Sequence, residues 1–299
     1  MHDVVVYMSS LPRIADRNRK TQVLRAFAQG TKSLGVKTLL QESRHAVPSR
    51  LGVILGWVGT TIAGPHIQLR KDVIARQTEA GNHIMAIDGS CFKFADPTSR
   101  WLRYSLGGVF YNQNNYANRN SSELKWQAIS RDLDIELRPW QKTGEHILVC
   151  LQRDGGWNMK GVNMQQWSLD VVTKLRQLTD RRILVRPHPK TTFDAGPLRQ
   201  ISNVVISDEN RTLQQDITNA WCSVFFNSSS SVASILAGVP VISIDSDSVT
   251  WQVSSHTLDE INNPVRPDRT QWLWDLAACH WNDQESQHGE IYQHFSGYL

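Results

Sequence analysis

The sequence has no long apolar run: nowhere do the ~18 apolar residues of a membrane-crossing helix follow one another. The opening stretch, MHDVVVYMSSLPR, has neither a basic n-region nor a small-residue cleavage site, so it does not read as a signal peptide. Cysteine is scarce. The four residues Cys91, Cys150, Cys222 and Cys279 lie far apart and form no C-x-x-C pair, which argues against a zinc site or a disulfide framework. Buried free thiols in a reducing compartment account for them better, so a cytoplasmic protein without a bound metal is expected. Lys/Arg blocks of the kind that mark a nucleic-acid tail are missing, and so is any repeat of fixed period.

What remains is an ordinary globular composition spread over 299 residues, about twice one domain length. The formal charge is +4 and the isoelectric point about 8.9, a mild basic balance that suits a phosphate-bearing ligand without requiring one. Tryptophan stands out at 11 residues. Its large apolar area points first to packing, and second to stacking on sugars or bases.

The first half alternates strand-like and helix-like segments. Continuous apolar runs at 4–7 and 51–55, with shorter ones at 37–40 and 83–87, read as buried parallel strands. Helical spacing over 21–34 is closed by Gly35, and over 67–79 by Gly81. The stretch 90–144 is irregular and rich in Asn, Arg, Tyr and Trp, with a polar loop at 112–122 and a helix over 122–133. A second series follows: strands at 147–151, 182–185, 204–206, 223–226 and 239–244, with helices at 167–178, 213–219 and 229–237. Trp272, Leu273, Leu276 and Trp281 then recur near helical spacing. Two successive α/β sheets with a boundary near residue 140 are predicted.

Three groups of residues could carry chemistry. Arg186-Pro187-His188-Pro189 follows a predicted strand, and open parallel sheets bind ligands outside the carboxyl ends of their strands. The prolines stiffen this loop and leave Arg186 and His188 as donors for an anion. An ordinary strand-exit turn would look the same. Asn227 and the run Ser228-Ser229-Ser230-Ser231 lie between a predicted strand and a predicted helix. First-turn amides, the helix dipole and several hydroxyls there favour an anion, although one serine alone would serve as an N-cap. Asp88-Gly89 ends the fourth strand, where a carboxylate can act as a general base or merely shape a turn.

At this point the chain resembles a known family. Asp88-Gly89-Ser90, then Arg103-Tyr104-Ser105-Leu106-Gly107-Gly108-Val109-Phe110-Tyr111, resembles the acidic-Gly, Arg-x-Ser and Gly-aromatic elements of bacterial capsule-polysaccharide Kdo transferases. Leu148-Val149-Cys150-Leu151-Gln152 resembles that family's strand ending in Gln, and Arg186-Pro187-His188-Pro189 its His-Pro motif. The segment from Ser229 through Gly238 to Val241 resembles its Ser-Ser motif, and the likeness runs in order over 83–244. His-Pro and Ser-Ser motifs also occur in polysialyltransferases and related GT-B enzymes. Ser90 and Cys91 follow Gly89, so the family's uninterrupted Asp-Gly-Phe-Leu-Arg-Ser run is absent.

The resemblance implies an α/β GT-B fold: two Rossmann-like domains facing a cleft, with the C-terminal helix packing back on the body. Residues 1–140 would bind the acceptor and 141–299 the nucleotide sugar. Asp88 would be the base, with His66 or Glu42 the next candidates. Arg186, His188, Ser228, Ser229, Ser230, Ser231, Gln152 and Glu209 would hold a UDP- or CMP-linked donor. Arg103, Tyr111 and Asn112 would face the acceptor. GT-B enzymes generally need no metal, and no cofactor beyond the donor is expected. Two acceptors fit, inside a bacterium or a phage-infected cell. One is a capsule or lipopolysaccharide glycan; the other is a hydroxymethylated base in DNA, as for phage DNA glucosyltransferases. A sugar-nucleotide epimerase and a non-catalytic nucleotide-sugar or nucleic-acid binding protein stay open beside them.

Overall fold

A computed structural model describes residues 2–12, 14, 18–59, 63–92 and 101–299, with Trp157 described in its backbone alone. The loop expected at 9–19 and the irregular stretch from 90 onward therefore lie partly outside the described residues. The chain divides into two compact units, Met1–Ile129 with Leu273–Leu299, and Ser130–Trp272.

In the first unit β1 (His2–Tyr7) leads through α1 (Arg19–Ser33) to β2 (Thr38–Gln41) and β3 (Ser49–Leu55). Then come α2 (Pro65–Glu79), β4 (His83–Asp88), β5 (Leu102–Leu106) and α3 (Leu124–Leu133), the last running across the unit boundary. β1 is buried on both faces because both are covered. Val4 and Val6 join Phe27 and Met85 in one core, and Val5 and Tyr7 join Leu69 and Val73 of α2 in another. β1 to β4 pair in parallel, whereas β5 runs antiparallel to β4 and opposes Asp88 with Arg103.

The second unit holds β6 (His146–Cys150), α4 (Met164–Leu178), β7 (Arg182–Arg186), α5 (Gly196–Arg199) and β8 (Val204–Ile206). α6 (Leu213–Ile217), β9 (Ala220–Phe225), α7 (Ser231–Leu236) and β10 (Val241–Ser243) follow. Its sheet is wholly parallel, in the order β10-β9-β6-β7-β8. The order reverses between β6 and β9, and doubly wound sheets open a crevice for ligands at such a point. The glycines expected to close helices at 35, 81 and 238 do adopt positive φ, 77°, 64° and 79°.

The end of the chain departs from expectation. The helix predicted there is α8 (Thr270–Ala278), but β11 (His280–Trp281), α9 (Asp283–Gln287) and α10 (Glu290–Phe295) come after it. β11 pairs antiparallel with β5 and completes the first sheet, β11-β5-β4-β3-β1-β2. Ile291 and Phe295 enter the core built on Val4 and Val6. A Cβ on Gly30 of α1 would stand 2.0 Å from the Ser286 carbonyl oxygen, so only glycine lets the backbones of α1 and α9 approach this closely. The boundary drawn at 140, with the tail assigned to the second half, is thus replaced by divisions after 129 and 272. Local periodicity cannot reveal such long-range pairing. The four cysteines are buried free thiols, as expected. Trp272 and Trp281 are buried, and Trp221 lies between Arg181 and Arg266 at 4.3 and 4.9 Å, so these three indoles pack protein.

Candidate functional site

In the second unit the strand ends at the reversal point are tied together. The Gln152 side chain, just past β6, donates to Asn227 Oδ1 at 2.9 Å and accepts the Asn227 amide at 2.7 Å. Asn227 in turn donates to the Asn158 carbonyl oxygen. Gln152 is buried, and this amide pair fixes the start of the serine run relative to the first βα loop.

The serines divide into two groups. Ser231 is buried and belongs to a network of hydroxyls with Thr250, Ser243 and Ser248. Ser228, Ser229 and Ser230 are half-buried at the strand exit. The helix begins at Ser231, two residues later than the sequence suggests, and a turn leads into it: Ser228 O accepts the Ser231 amide, and Ser228 Oγ accepts the Ser230 amide at 3.3 Å. Ser230 stands at the N-cap position without a side-chain cap bond, and the amide of Ser229 has no partner among the described residues.

Arg186 closes β7. Its Nη1 donates to Asp216 Oδ2 at 2.6 Å and reaches Ser207 Oγ at 3.4 Å. Asp216 is wholly buried and also accepts from Arg211 Nε at 2.6 Å and Ser207 Oγ at 2.5 Å. Burial alone would raise its pKa, but the hydrogen bonds from Arg211, Ser207 and Arg186 outweigh that and lower it. Two arginines share one carboxylate, so the group keeps a net positive charge. His188 accepts the Lys190 amide on Nδ1 at 3.1 Å, which leaves the proton of the neutral ring on Nε2 as a donor. Burial, then the charges of Arg153 and Lys190, push the His188 pKa down, so the neutral ring prevails at pH 7. Glu209 is exposed in the turn after β8.

In the first unit Asp88 ends β4. Its Oδ2 accepts from Arg103 Nη2 at 2.6 Å, while Arg103 Nε donates to the Gly89 carbonyl oxygen at 3.0 Å. The arginine lies beneath the acid: side-chain exposure is 5% for Arg103 and 21% for Asp88. His280 of β11 donates from Nδ1 to Leu276 O and accepts the Cys91 amide on Nε2, and so pins the loop after Asp88 from the other side. Burial and the nearby Arg103 push its pKa down to about 3. Tyr111 is half-buried with its hydroxyl accepting from Asn118, and Asn112 is exposed. His66 opens α2, its pKa lowered by burial and then by Arg70, Arg44 and Lys20. Glu42 is exposed after β2, its carbonyl oxygen bonded by Ser9.

Two features of these sites escape sequence reading. Arg153, in the loop after β6, acts on His188 electrostatically; the signal available was an arginine before Asp154-Gly155-Gly156 at a strand exit. Asp216 sits in a polar helix and carries no local signal at all.

Two solved structures have a similar fold. The Thermosulfurimonas dismutans KpsC, beta Kdo 2,7 transferase, aligns over 97% of this chain and 99% of its own, with a TM-score of 0.57 and 12% identity. The KpsC, beta Kdo 2,4 transferase, of the same organism aligns over 93% and 90%, with a TM-score of 0.53 and 14% identity. At such identities the likeness is one of fold: mixed α/β, with two parallel-rich sheets. No protein-family model matches the chain, and no curated protein matches it in sequence.

Proposed function

We propose that this protein is a glycosyltransferase that moves a sugar from a nucleotide-sugar donor to an acceptor hydroxyl. One observation carries the reading: the loop with Arg186 and His188 and the run Ser228–Ser230 flank the reversal point of a parallel sheet, where Gln152 and Asn227 lock the two strand ends together. Arg186, the Nε2–H of His188, the Ser229 amide and the hydroxyls of the run form a preorganised set of donors for the leaving nucleotide's phosphate. Such electrostatics often supply the largest catalytic contribution, and they need no metal. In this reading Gln152 and Ser231 support the donor site from beneath, and Glu209 meets the nucleoside. Asp88 takes the acceptor proton through the oxygen that Arg103 does not hold. Arg103 orients it, and Tyr111 and Asn112 lie on the acceptor side.

The fold neighbours are named as Kdo transferases, which favours a glycan acceptor over DNA. The decisive experiment is thermal shift with a panel of CMP- and UDP-sugars, followed by transfer assays on oligosaccharides and on hydroxymethylated duplex DNA. A donor at ~100 times its dissociation constant stabilises by ~2.7 kcal/mol. Stabilisation by one donor class with transfer onto an oligosaccharide is expected. Transfer onto DNA alone would replace the glycan reading. Donor conversion without an acceptor would make the protein an epimerase, and binding without turnover a non-catalytic receptor.

A further inference from the structure

The buried carboxylate of Asp216 has more partners than a helix cap needs. Oδ1 accepts from Arg211 Nε at 2.6 Å. Oδ2 accepts from Arg186 Nη1 at 2.6 Å and from Ser207 Oγ at 2.5 Å. The backbone oxygen of the same residue accepts from His146 Nε2 at 2.8 Å, at the opposite end of the sheet. A capping box, Thr212 with Gln215, fixes the start of the helix that carries it. The acid is therefore held from both ends and has little freedom to follow its arginines. They follow it. Arg186, with 18% of its side chain exposed, lies over a carboxylate with none.

We infer that Asp216 is the positioning residue that presets Arg186 toward the donor phosphate, with Ser207 locking the carboxylate and Arg211 sharing its charge. This rests on the donor-site reading above for what Arg186 meets, but not for how Arg186 is held. A flexible arginine loses rotamer freedom when it grips an anion. One already clamped by a bonded carboxylate loses less, which is the general benefit of preorganisation. The ionised carboxylate lowers the local positive charge, so on charge alone Asp216 opposes anion binding. That sign makes the idea testable.

The experiment measures CMP and UDP affinity by calorimetry for the wild type, Asp216→Asn, Arg186→Gln and the double variant, with circular dichroism to verify folding. Asp216→Asn adds one positive charge to the site. If it served the fold alone, nucleotide affinity would stay equal or rise. The clamp requires the opposite: affinity falls about tenfold, and the double variant binds no worse than Arg186→Gln, because both changes remove one interaction. Equal or tighter binding by folded Asp216→Asn overturns the proposal. A second readout does not depend on the donor: the rate at which phenylglyoxal modifies Arg186, followed by mass spectrometry. It rises when the clamp is lost, and an unchanged rate in Asp216→Asn overturns the proposal even if nucleotides bind. Should the wild type bind neither CMP nor UDP, the donor reading fails while the modification rate still decides the clamp. If Asp216→Asn does not fold, Ser207→Ala, which leaves every charge in place, replaces it. Faster Arg186 modification and weaker nucleotide binding are then expected, and no change in either overturns the clamp.

Discussion

Each unit carries an Arg–Asp pair at the carboxyl end of a strand, and the two pairs are stacked in opposite order. In the first unit the acid is outside and the cation inside: Asp88 is 21% exposed over Arg103 at 5%. In the second the cation is outside and the acid inside: Arg186 is 18% exposed over Asp216 at 0%. The N–O distance is 2.6 Å in both. The same bond thus presents opposite faces to solvent. An outward carboxylate on a buried guanidinium can accept a proton or a hydroxyl hydrogen bond. An outward guanidinium on a buried carboxylate can take an anion. Strand direction sets the difference. β5 runs antiparallel to β4 and brings Arg103 in from the neighbouring strand, whereas Asp216 comes from the helix between two parallel strands.

The comparison breaks most visibly at Asp88. If its outward oxygen removes the acceptor proton, Asp88→Asn lowers turnover by about 10² to 10⁴ while donor affinity is unchanged. Arg103 is buried and loses a charged partner, so a stability loss of about 1.5–3 kcal/mol accompanies the change. Initial rates at saturating donor, with calorimetry on the same preparation, separate the two effects. Near-normal turnover would reduce Asp88 to a turn residue and end the contrast.

The converse variant is Arg186→Gln. Removing the outward cation weakens nucleotide binding by about ten- to hundredfold, the scale of one charge-assisted hydrogen bond. His188→Ala follows with a smaller loss, since its neutral Nε2–H is the weaker donor. In the wild type, nucleotide affinity rises as the pH is lowered from neutrality, because a bound phosphate favours the charged ring that burial and Arg153 otherwise disfavour. An affinity flat from pH 7.5 to 5.5 would take His188 out of the phosphate site.

How much of this was legible beforehand follows from the reach of each signal. Buried strands such as 4–7 and 147–151 announce themselves as apolar runs, and Gly35, Gly81 and Gly238 as helix ends, because the cause is local. Arg186, His188 and the serine run were legible for the same reason: each directly follows a strand. The pairings were not. Leu102–Leu106 contains a buried arginine and reads as no recognisable strand until Asp88 is set opposite it. β11 and its contacts join residues more than 150 positions apart, so the tail was assigned to the wrong half. Asp216 looks like a surface residue in RTLQQDITN, and only the arginines around it explain its burial. In the first unit both members, Asp88 and Arg103, were visible in the sequence but not their pairing; in the second only Arg186 was.

A third prediction sharpens the contrast through pH. His280 steadies the loop behind Asp88 only as the neutral ring, since Nε2 must accept the Cys91 amide. Its folded pKa, about 3, lies below the ordinary 6.5, so the stability it contributes is present above pH 6.5 and is lost as the pH falls toward 3. The slope approaches about 1.4 kcal/mol per pH unit, or about 2 kcal/mol between pH 6.5 and 5. His280→Gln, which takes up no proton there, flattens that slope in urea melts. An equal slope in both proteins would place the acid sensitivity elsewhere, with His294, His66, His146 and His188 the remaining lowered histidines.

The smallest effect divides the serine run itself. Ser231 is fully buried and accepts from Thr250 Oγ1 at 3.0 Å, within a network that also holds Ser243 and Ser248. Ser229 is half-buried and its side chain has no partner among the described residues. Ser231→Ala should therefore cost about 1 kcal/mol of stability, the worth of one buried hydrogen bond, and leave nucleotide affinity unchanged. Ser229→Ala should do the reverse: a melting temperature within a degree of wild type and nucleotide binding about three- to tenfold weaker, the range of one neutral hydrogen bond. The amide of Ser229 survives the substitution, so the loss stays below that of Arg186→Gln. Running the two serine variants side by side removes the ambiguity of either alone, because they differ in position within one short turn and not in chemistry. If both lower stability and neither changes affinity, the whole run is a structural cap, and the anion face of the second unit shrinks to Arg186, His188 and Arg153.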